Sequence, residues 1–310
     1  MKVKTPSKLE KILASGKMAV TSECGPPRGS DPDVIPHKAE KIRKHVDAIN
    51  VTDNQTSMTR LCSLAACIRL KLMGVEPVLQ MVTRDRNRIA IQSDILGAAS
   101  FDINNILCLS GDHQSFGDCA QGQNVYDLDS MQLIQTVRHM RDEGKFLGGD
   151  PISRPPQMFV GAAENPFADP YEIRVPRLAK KIAAGVEFIQ TQCIYNLDKF
   201  EDWMSKARDR GLTEQVYILA GVTPMKSAAM ARYMKNKVPG MDVPEEVVKR
   251  LAGTPKEKQA EEGIKMCIES IQRLKEVKGL SGFHVMAIEW EEMVPEIVER
   301  AGLYPRPVVD

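Results

Sequence analysis

FIQTQCIYNLDKFEDWMSKARDRGLTEQVYILAGV (188–222) is the stretch that decides the fold. It opens on a short apolar run rich in β-branched residues, 188–194, and closes on another, 216–222. Between them, 197–210 carries a helical pattern. Two apolar strands joined by a helix read as a parallel unit, because parallel strands need a long crossover and are buried on both faces. The alternation continues in both directions. Further apolar runs lie at 19–23, 48–52, 78–83, 105–109, 158–162 and 283–288. Helical patterns fall at 35–46, 58–73, 87–100, 129–144, 172–184 and 226–236. Two extra helices, 243–252 and 255–278, precede the last strand, and 291–302 closes the chain. Within 258–278, Ile264, Cys267, Ile268, Ile271 and Leu274 recur on one side at helical spacing. The first sixteen residues add an N-terminal helix with Leu9, Ile12 and Leu13 on one face.

Eight strand–helix units in 310 residues predict an α/β protein built as one (β/α)8 barrel. An open doubly wound sheet is the alternative. No linker or longer repeat interrupts the alternation, so 1–310 reads as a single domain. Long loops are expected at 112–128 and 145–157, with an insertion at 238–254.

Composition narrows the function. Hydrophobic residues make up 43% and charged residues 27%, an ordinary balance for a soluble globular protein. The 42 basic and 41 acidic residues nearly cancel, which removes the electrostatic case for nucleic acid or an anionic membrane as partner. The seven cysteines are scattered and form no CxxC pair, so a metal site is not expected. Most sit in apolar runs, as small buried hydrophobes in a reducing compartment. The N-terminus lacks a signal peptide's apolar core, and no apolar run reaches membrane length. A cytoplasmic location is therefore expected.

In a parallel barrel the chemistry sits at the carboxyl ends of the strands. Strand one ends in Glu23-Cys24-Gly25-Pro26-Pro27. A carboxyl buried there would have a raised pKa and could carry a proton, unless it pairs with an arginine such as Arg28. Strand two ends in Thr52-Asp53-Asn54, small polar groups suited to a ligand, while Ser57 reads as the cap of the following helix. Strand four ends in Ser110-Gly111-Asp112-His113. Gly111 allows close approach, and Asp112 either projects at the mouth or starts a turn. His113 reads as a surface histidine. Strand six carries Gln190 and Gln192 on one face, either to bind a heterocycle or to form a polar core layer. Strand seven ends at Gly221. No GxGxxG, P-loop, HExxH or GxSxG motif is present, so a nicotinamide site cannot be read from the chain.

Taken together, SECGPPRG (22–29), NVTDN (50–54), RDRNRIAIQSDILGA (84–98), LCLSGD (107–112), IQTQCIYN (189–196), AGVTPM (220–225) and GFHVMAIEW (282–290) resemble the methylenetetrahydrofolate reductase family, in its short bacterial form. The pieces occur in the family's order and span nearly the whole chain. The resemblance implies a flavoprotein oxidoreductase of one-carbon metabolism that reduces 5,10-methylenetetrahydrofolate to 5-methyltetrahydrofolate. Glu23 would be the general acid, and hydride would come from flavin N5. It further implies Asp112 beside flavin and pterin, Thr52 and Tyr126 at the flavin, Gln192 at the folate and Lys181 at the flavin phosphates. Ser110 stands where many members have a phosphate-binding arginine, which makes Arg174 and Arg177 the candidates for that charge. The cofactor is FAD by resemblance, with FMN open. The electron donor is NAD(P)H or a redox partner subunit, and either a homo-oligomer or a complex with an iron–sulfur or zinc subunit is compatible. Another pterin-binding barrel, such as a folate-dependent methyltransferase, and a non-catalytic assembly subunit are the alternatives.

Overall fold

The computed structural model describes residues 2–309. Its strands are β1 (Ala19–Cys24), β2 (Ala48–Val51), β3 (Pro77–Val82), β4 (Asn105–Leu109), β5 (Phe159–Glu164), β6 (Phe188–Cys193), β7 (Tyr217–Val222) and β8 (Gly282–Val285). All neighbours are parallel, and β8 pairs back onto β1, placing Ala19 opposite Gly282 and Thr21 opposite His284. That pairing closes the barrel and rules out the open doubly wound sheet. Every expected strand is present within a few residues.

The helices are α1 (Lys8–Ala14), α2 (Val34–Ile42), α3 (Ser63–Leu72), α4 (Arg88–Ser100), α5 (Ser130–Arg138), α6 (Arg174–Ala184), α7 (Leu197–Asp209), α8 (Ala228–Lys237), α9 (Glu245–Ala252), α10 (Gln259–Leu274) and α11 (Val294–Arg300). α9 and α10 are the two extra helices before β8. The helix expected from residue 58 starts only at Ser63. Asn54, Thr56 and Ser57 adopt φ of 44°, 54° and 58°, which carries the chain in a tight left-handed turn before α3 begins. Ser57 is therefore not a helix cap. Cys62 occupies that position and makes no side-chain capping bond. The expected long helix at 129–144 divides into α5 and a π-helical turn at 139–143, stopped by Gly144 at φ 64°. Loop 112–128 contains one 3-10 turn at 114–116.

The inner and outer surfaces of the barrel bury different sets of side chains. Outward-facing residues pack against the helices in one continuous apolar layer. At the amino ends of the strands, Leu9, Ile12 and Leu13 of α1 pack against Ala19, Ala48, Val78, Leu107, Phe159, Phe188 and Leu219. Ser7 fixes this plug. Its Oγ accepts from the Glu10 N–H at 3.0 Å and donates to Asn105 Oδ1 at 2.5 Å. The bottom of the barrel is thus sealed by hydrocarbon, and the strand carboxyl ends form the opposite mouth.

An ion pair near the bottom anchors the start of β6. Arg141 donates through Nη1 and Nη2 to the two oxygens of Glu187, at 2.8 and 3.0 Å, and also to the Met158 carbonyl at 2.7 Å. The Val160 N–H adds a 3.0 Å bond to Glu187. Burial pushes the Glu187 carboxyl up, but Arg141 and the backbone donor outweigh it and hold the group below its ordinary value. A depressed carboxyl pKa stabilises the fold above the unfolded-state value and loses that contribution as pH falls through the folded-state value. Glu187→Gln should therefore lower the unfolding free energy by about 3 kcal/mol at neutral pH. The difference from wild type should shrink below about pH 4, where the unfolded carboxyl is protonated. Urea titrations at the two pH values measure it, and an unchanged gap would contradict the assignment.

Candidate active site

Alternation along β1 sends Thr21 and Glu23 into the barrel, with Glu23 in register with Asn50 of β2. Glu23 lies on the wall of two adjoining cavities at the mouth. The first, of about 640 Å³, is lined by Glu23, Thr52, Gln80, Arg84, Asp112 and Gln192 among others. The second, of about 380 Å³, is lined by Glu23, Gln80, Gln190, Gln192, Arg174, Arg177 and Lys181 among others. Glu23, Gln80 and Gln192 belong to both walls. Side chains from β1, β3 and β6 and from the turns after β2 and β4 therefore converge, although some 170 residues separate the first from the last (Glu23 to Gln192). Tyr126 does not join them. It stands 41% exposed on the β4–α5 loop, at φ 41°, and lines neither cavity.

Glu23 is not paired with Arg28, which instead bonds Asp118 at 2.6 Å. Its side chain is 28% exposed, and its Oε1 is 3.5 Å from His284 Nε2 and 3.4 Å from Gln80 Nε2. Behind it runs a buried polar chain. Asn50 and Gln190 exchange amide hydrogen bonds at 2.7 and 3.0 Å across the barrel. The Gln190 amide also donates to Thr21 Oγ1 at 3.0 Å, and Thr21 Oγ1 is 2.8 Å from His284 Nδ1. The Thr21 hydroxyl, which accepts from Gln190, either donates to Nδ1 or accepts a second bond from it, according to the His284 tautomer. In the tautomer where Thr21 donates to Nδ1, His284 presents its Nε2 proton toward Glu23. Gln190 is thus a member of a polar core layer, while Gln192 reaches the mouth.

A break in the sheet explains how Gln192 gets there. The β6–β7 register shifts between Gln190 and Cys193. Such an irregularity re-aims the side chains beside it. Gly221 makes it sterically possible, because a Cβ at that position would collide with the Thr191 carbonyl. The Gln192 side-chain oxygen accepts from the Cys193 N–H at 3.0 Å, and its amide nitrogen has no partner among the described residues.

Asp112 also lines the first cavity, three residues past the end of β4. Its Oδ2 accepts from the Thr56 N–H at 2.9 Å, so it ties two loops together instead of forming a local turn. His113 is exposed and bonds Ser115 in the same loop. Thr52 is buried and donates to Gln55 Oε1 at 2.8 Å.

The second cavity is cationic. Arg174 donates only to carbonyls of its own turn, Asp169 and Pro170. Arg177 has no partner among the described residues. Lys181 is buried and bonded to Glu164 and to the Ala163 carbonyl, both at 2.6 Å. Burial pushes the Lys181 ammonium below its ordinary value, Glu164 pulls it back, and the charges of Arg177 and Arg174 add to the depression. Three cations, Arg174, Arg177 and Lys181, against two carboxylates, Glu23 and Glu164, leave this end of the mouth net positive.

The strand-end reading missed His284, Gln80 and Arg84. Each left a signal, a polar residue on the inward face of an apolar strand or just beyond its end, in FHV, VLQMV and VTRD. The partners that give them meaning lie on other strands.

The fold and its mouth define a (β/α)8-barrel protein with a polar, ligand-sized cavity at the carboxyl ends of its strands. A family model described as methylenetetrahydrofolate reductase matches residues 8–302, and the chain belongs to that family. A probable methylenetetrahydrofolate reductase (NADPH) of Caenorhabditis elegans is 23% identical over 258 residues, covering 81% of this chain and 36% of the relative. Methylenetetrahydrofolate reductase 1 of Schizosaccharomyces pombe is 26% identical over 216 residues, covering 66% and 33%. The chain thus spans about a third of the length of these curated relatives. Among solved structures, an uncharacterized Clostridium thermocellum protein that binds two copies of 5-methyl-5,6,7,8-tetrahydrofolic acid has the same fold. It aligns with a TM-score of 0.64 and 14% identity, over 94% of this chain and 96% of that one.

Gly111 sets the direction in which Asp112 leaves β4. Its φ is 86°, and a Cβ there would lie 3.0 Å from Val82 Cβ and 3.3 Å from Arg84 Nη1. Gly111→Ala should lower the unfolding free energy by about 1–2 kcal/mol, the cost of a left-handed non-glycine residue. Chemical denaturation measures it, and an unchanged midpoint and slope would refute the strain.

Proposed function

We propose that this chain reduces 5,10-methylenetetrahydrofolate to 5-methyltetrahydrofolate, with Glu23 as general acid, Asp112 as electrostatic partner and a flavin as resident cofactor. One observation carries the reading: Glu23, Thr52, Asp112 and Gln192 line a single cavity at the barrel mouth. Family membership and the tetrahydrofolate ligand of the Clostridium thermocellum protein support the same substrate class.

The residues fit a flavin. The two cavities, about 640 and 380 Å³, lie in the size range of cofactor sites. Arg177 and Arg174 are the better candidates for the phosphates, since the Lys181 ammonium is already matched by Glu164. Thr52 and Gln55 offer hydrogen-bonding groups to a ring in the first cavity. When bound, the flavin supplies the hydride.

The chain's own groups do the rest. Gln192, its carbonyl oxygen held by Cys193, presents its amide nitrogen to the pterin. Protonated Glu23 delivers its proton to N10 of the folate. The bond from N10 to the methylene carbon breaks, and its electron pair stays on N10. The methylene carbon remains bound to N5 as a cationic iminium, which then accepts the hydride. Asp112, on the wall of the first cavity, stabilises that cation as it develops. After turnover the Glu23 carboxylate, 28% exposed, takes its proton back from solvent, and His284 Nε2, 3.5 Å away, holds the group in place.

The test is independent of the electron donor. Mass spectrometry of the purified protein should identify bound flavin, and methyltetrahydrofolate should be oxidised in the presence of an artificial acceptor. A colourless protein without this activity would defeat the proposal. Glu23→Gln should slow the folate half-reaction by about 10²–10⁴-fold. Reduction of the flavin by an artificial reductant should be spared. Asp112→Asn should slow the folate half-reaction by roughly 10²-fold. Stopped-flow traces at the wild-type rate would remove the corresponding residue from the mechanism.

A further inference from the structure

Arg84 lies two residues beyond β3, is 2% exposed, and lines the first cavity. Four hydrogen bonds engage all three of its nitrogens. Nε and Nη2 grip the Asp85 carboxylate, both at 2.7 Å. Nη1 donates to the Asp112 carbonyl at 2.9 Å, and Nη2 also donates to the Asn54 carbonyl at 3.3 Å. One cation thus bonds the backbone of the β2–α3 loop and of the β4–α5 loop together. Its own main chain adds to the junction. The Arg84 N–H donates to the Ser110 carbonyl at 3.2 Å, and its carbonyl accepts from the Val125 N–H at 2.7 Å.

We propose that Arg84 is the positioning residue for Asp112, fixing its carboxylate at the cavity through the backbone of both loops. Two features make such a brace necessary. Asn54, Thr56 and Ser57 hold left-handed backbone conformations, which no local side-chain capping bond stabilises. Asp112 follows Gly111, whose conformational freedom would otherwise let the loop wander. The Thr56 N–H to Asp112 bond spans the gap between these segments. Asp118 Oδ1 adds a more distant tie by accepting from the Thr59 N–H at 3.1 Å and the Thr59 hydroxyl at 3.2 Å, while the Arg84 fork holds the carbonyls of Asn54 and of Asp112 itself. Asp85 keeps the fork aimed and also accepts from Asn54 Nδ2 at 3.4 Å. A lysine cannot replace it, since a single ammonium lacks the planar set of donors that reaches three partners in fixed directions.

This inference rests on the folate-reducing reading for Asp112's chemical role, and on the geometry alone for its placement. The test has two arms. In the protein without substrate, NMR-resolved exchange of the Thr56 amide should quicken by roughly three- to tenfold in Arg84→Lys and in Arg84→Met, the worth of one lost hydrogen bond. Wild-type exchange in the folded variants would overturn the proposal. In the folate half-reaction, either variant should lower the rate constant by about tenfold or more. Added to Asp112→Asn, the same substitution should cost nothing further, closing a double-mutant cycle. Independent, multiplying losses would overturn the proposal by showing that Arg84 acts elsewhere. If Arg84→Met does not fold, Arg84→Lys and Asp85→Asn carry both arms. Absence of folate turnover in the wild type would count against the proposed function, and the exchange arm would still decide the role of Arg84.

Discussion

Closure of the sheet by β8 onto β1 is the constraint on which the site depends. It sets Thr21 opposite His284, the contact that orients the imidazole toward Glu23. In an open sheet these two strands would be opposite edges. Closure also removes both edges and turns the eight carboxyl ends into one ring. Hydrocarbon fills the other end, where α1 plugs the barrel, so the polar side chains collect at the mouth.

Charge is divided around that ring. On the wall of the first cavity Glu23, Asp53, Asp112, Glu289 and Glu291 outnumber Lys38, Arg60 and Arg84, and on that of the second Arg174, Arg177 and Lys181 outnumber Glu23 and Glu164. A ligand with a cationic or protonatable ring and an anionic tail matches both ends at once. The polar groups between them are held rather than loose. The amide pair of Asn50 and Gln190, the bulge at Gln192 and the fork of Arg84 each commit donors to fixed acceptors. Preorganised groups of this kind spend no free energy on reorientation when charge develops.

Much of this was legible in the chain. The strand positions followed from short apolar runs, since strands buried on both faces need hydrophobic residues at nearly every position. Glu23, Asp112 and Gln192 were visible because a polar residue at the end of such a run has no packing role there. Tyr126 was chosen by resemblance alone, and the structure leaves it on the surface of a loop whose path no periodicity describes. The late start of α3 was hidden for a related reason. The left-handed turn at Asn54, Thr56 and Ser57 is held by long-range bonds to Arg84 and Asp112, and a short window of sequence contains neither partner. His284 passed unnoticed because its role requires Thr21, 263 residues away.

The sequence by itself determined the eight-fold strand–helix alternation, the apolar face of α1 and the family to which the chain belongs. These depend on local periodicity and on ordered motifs, which the linear chain carries. Only the tertiary structure decided which acid meets which base, that Lys181 is already matched by Glu164, and that Gln190 faces Asn50 while Gln192 faces the cavity. Those outcomes are set by register and closure, which fix distances between residues that nothing in the chain order brings near.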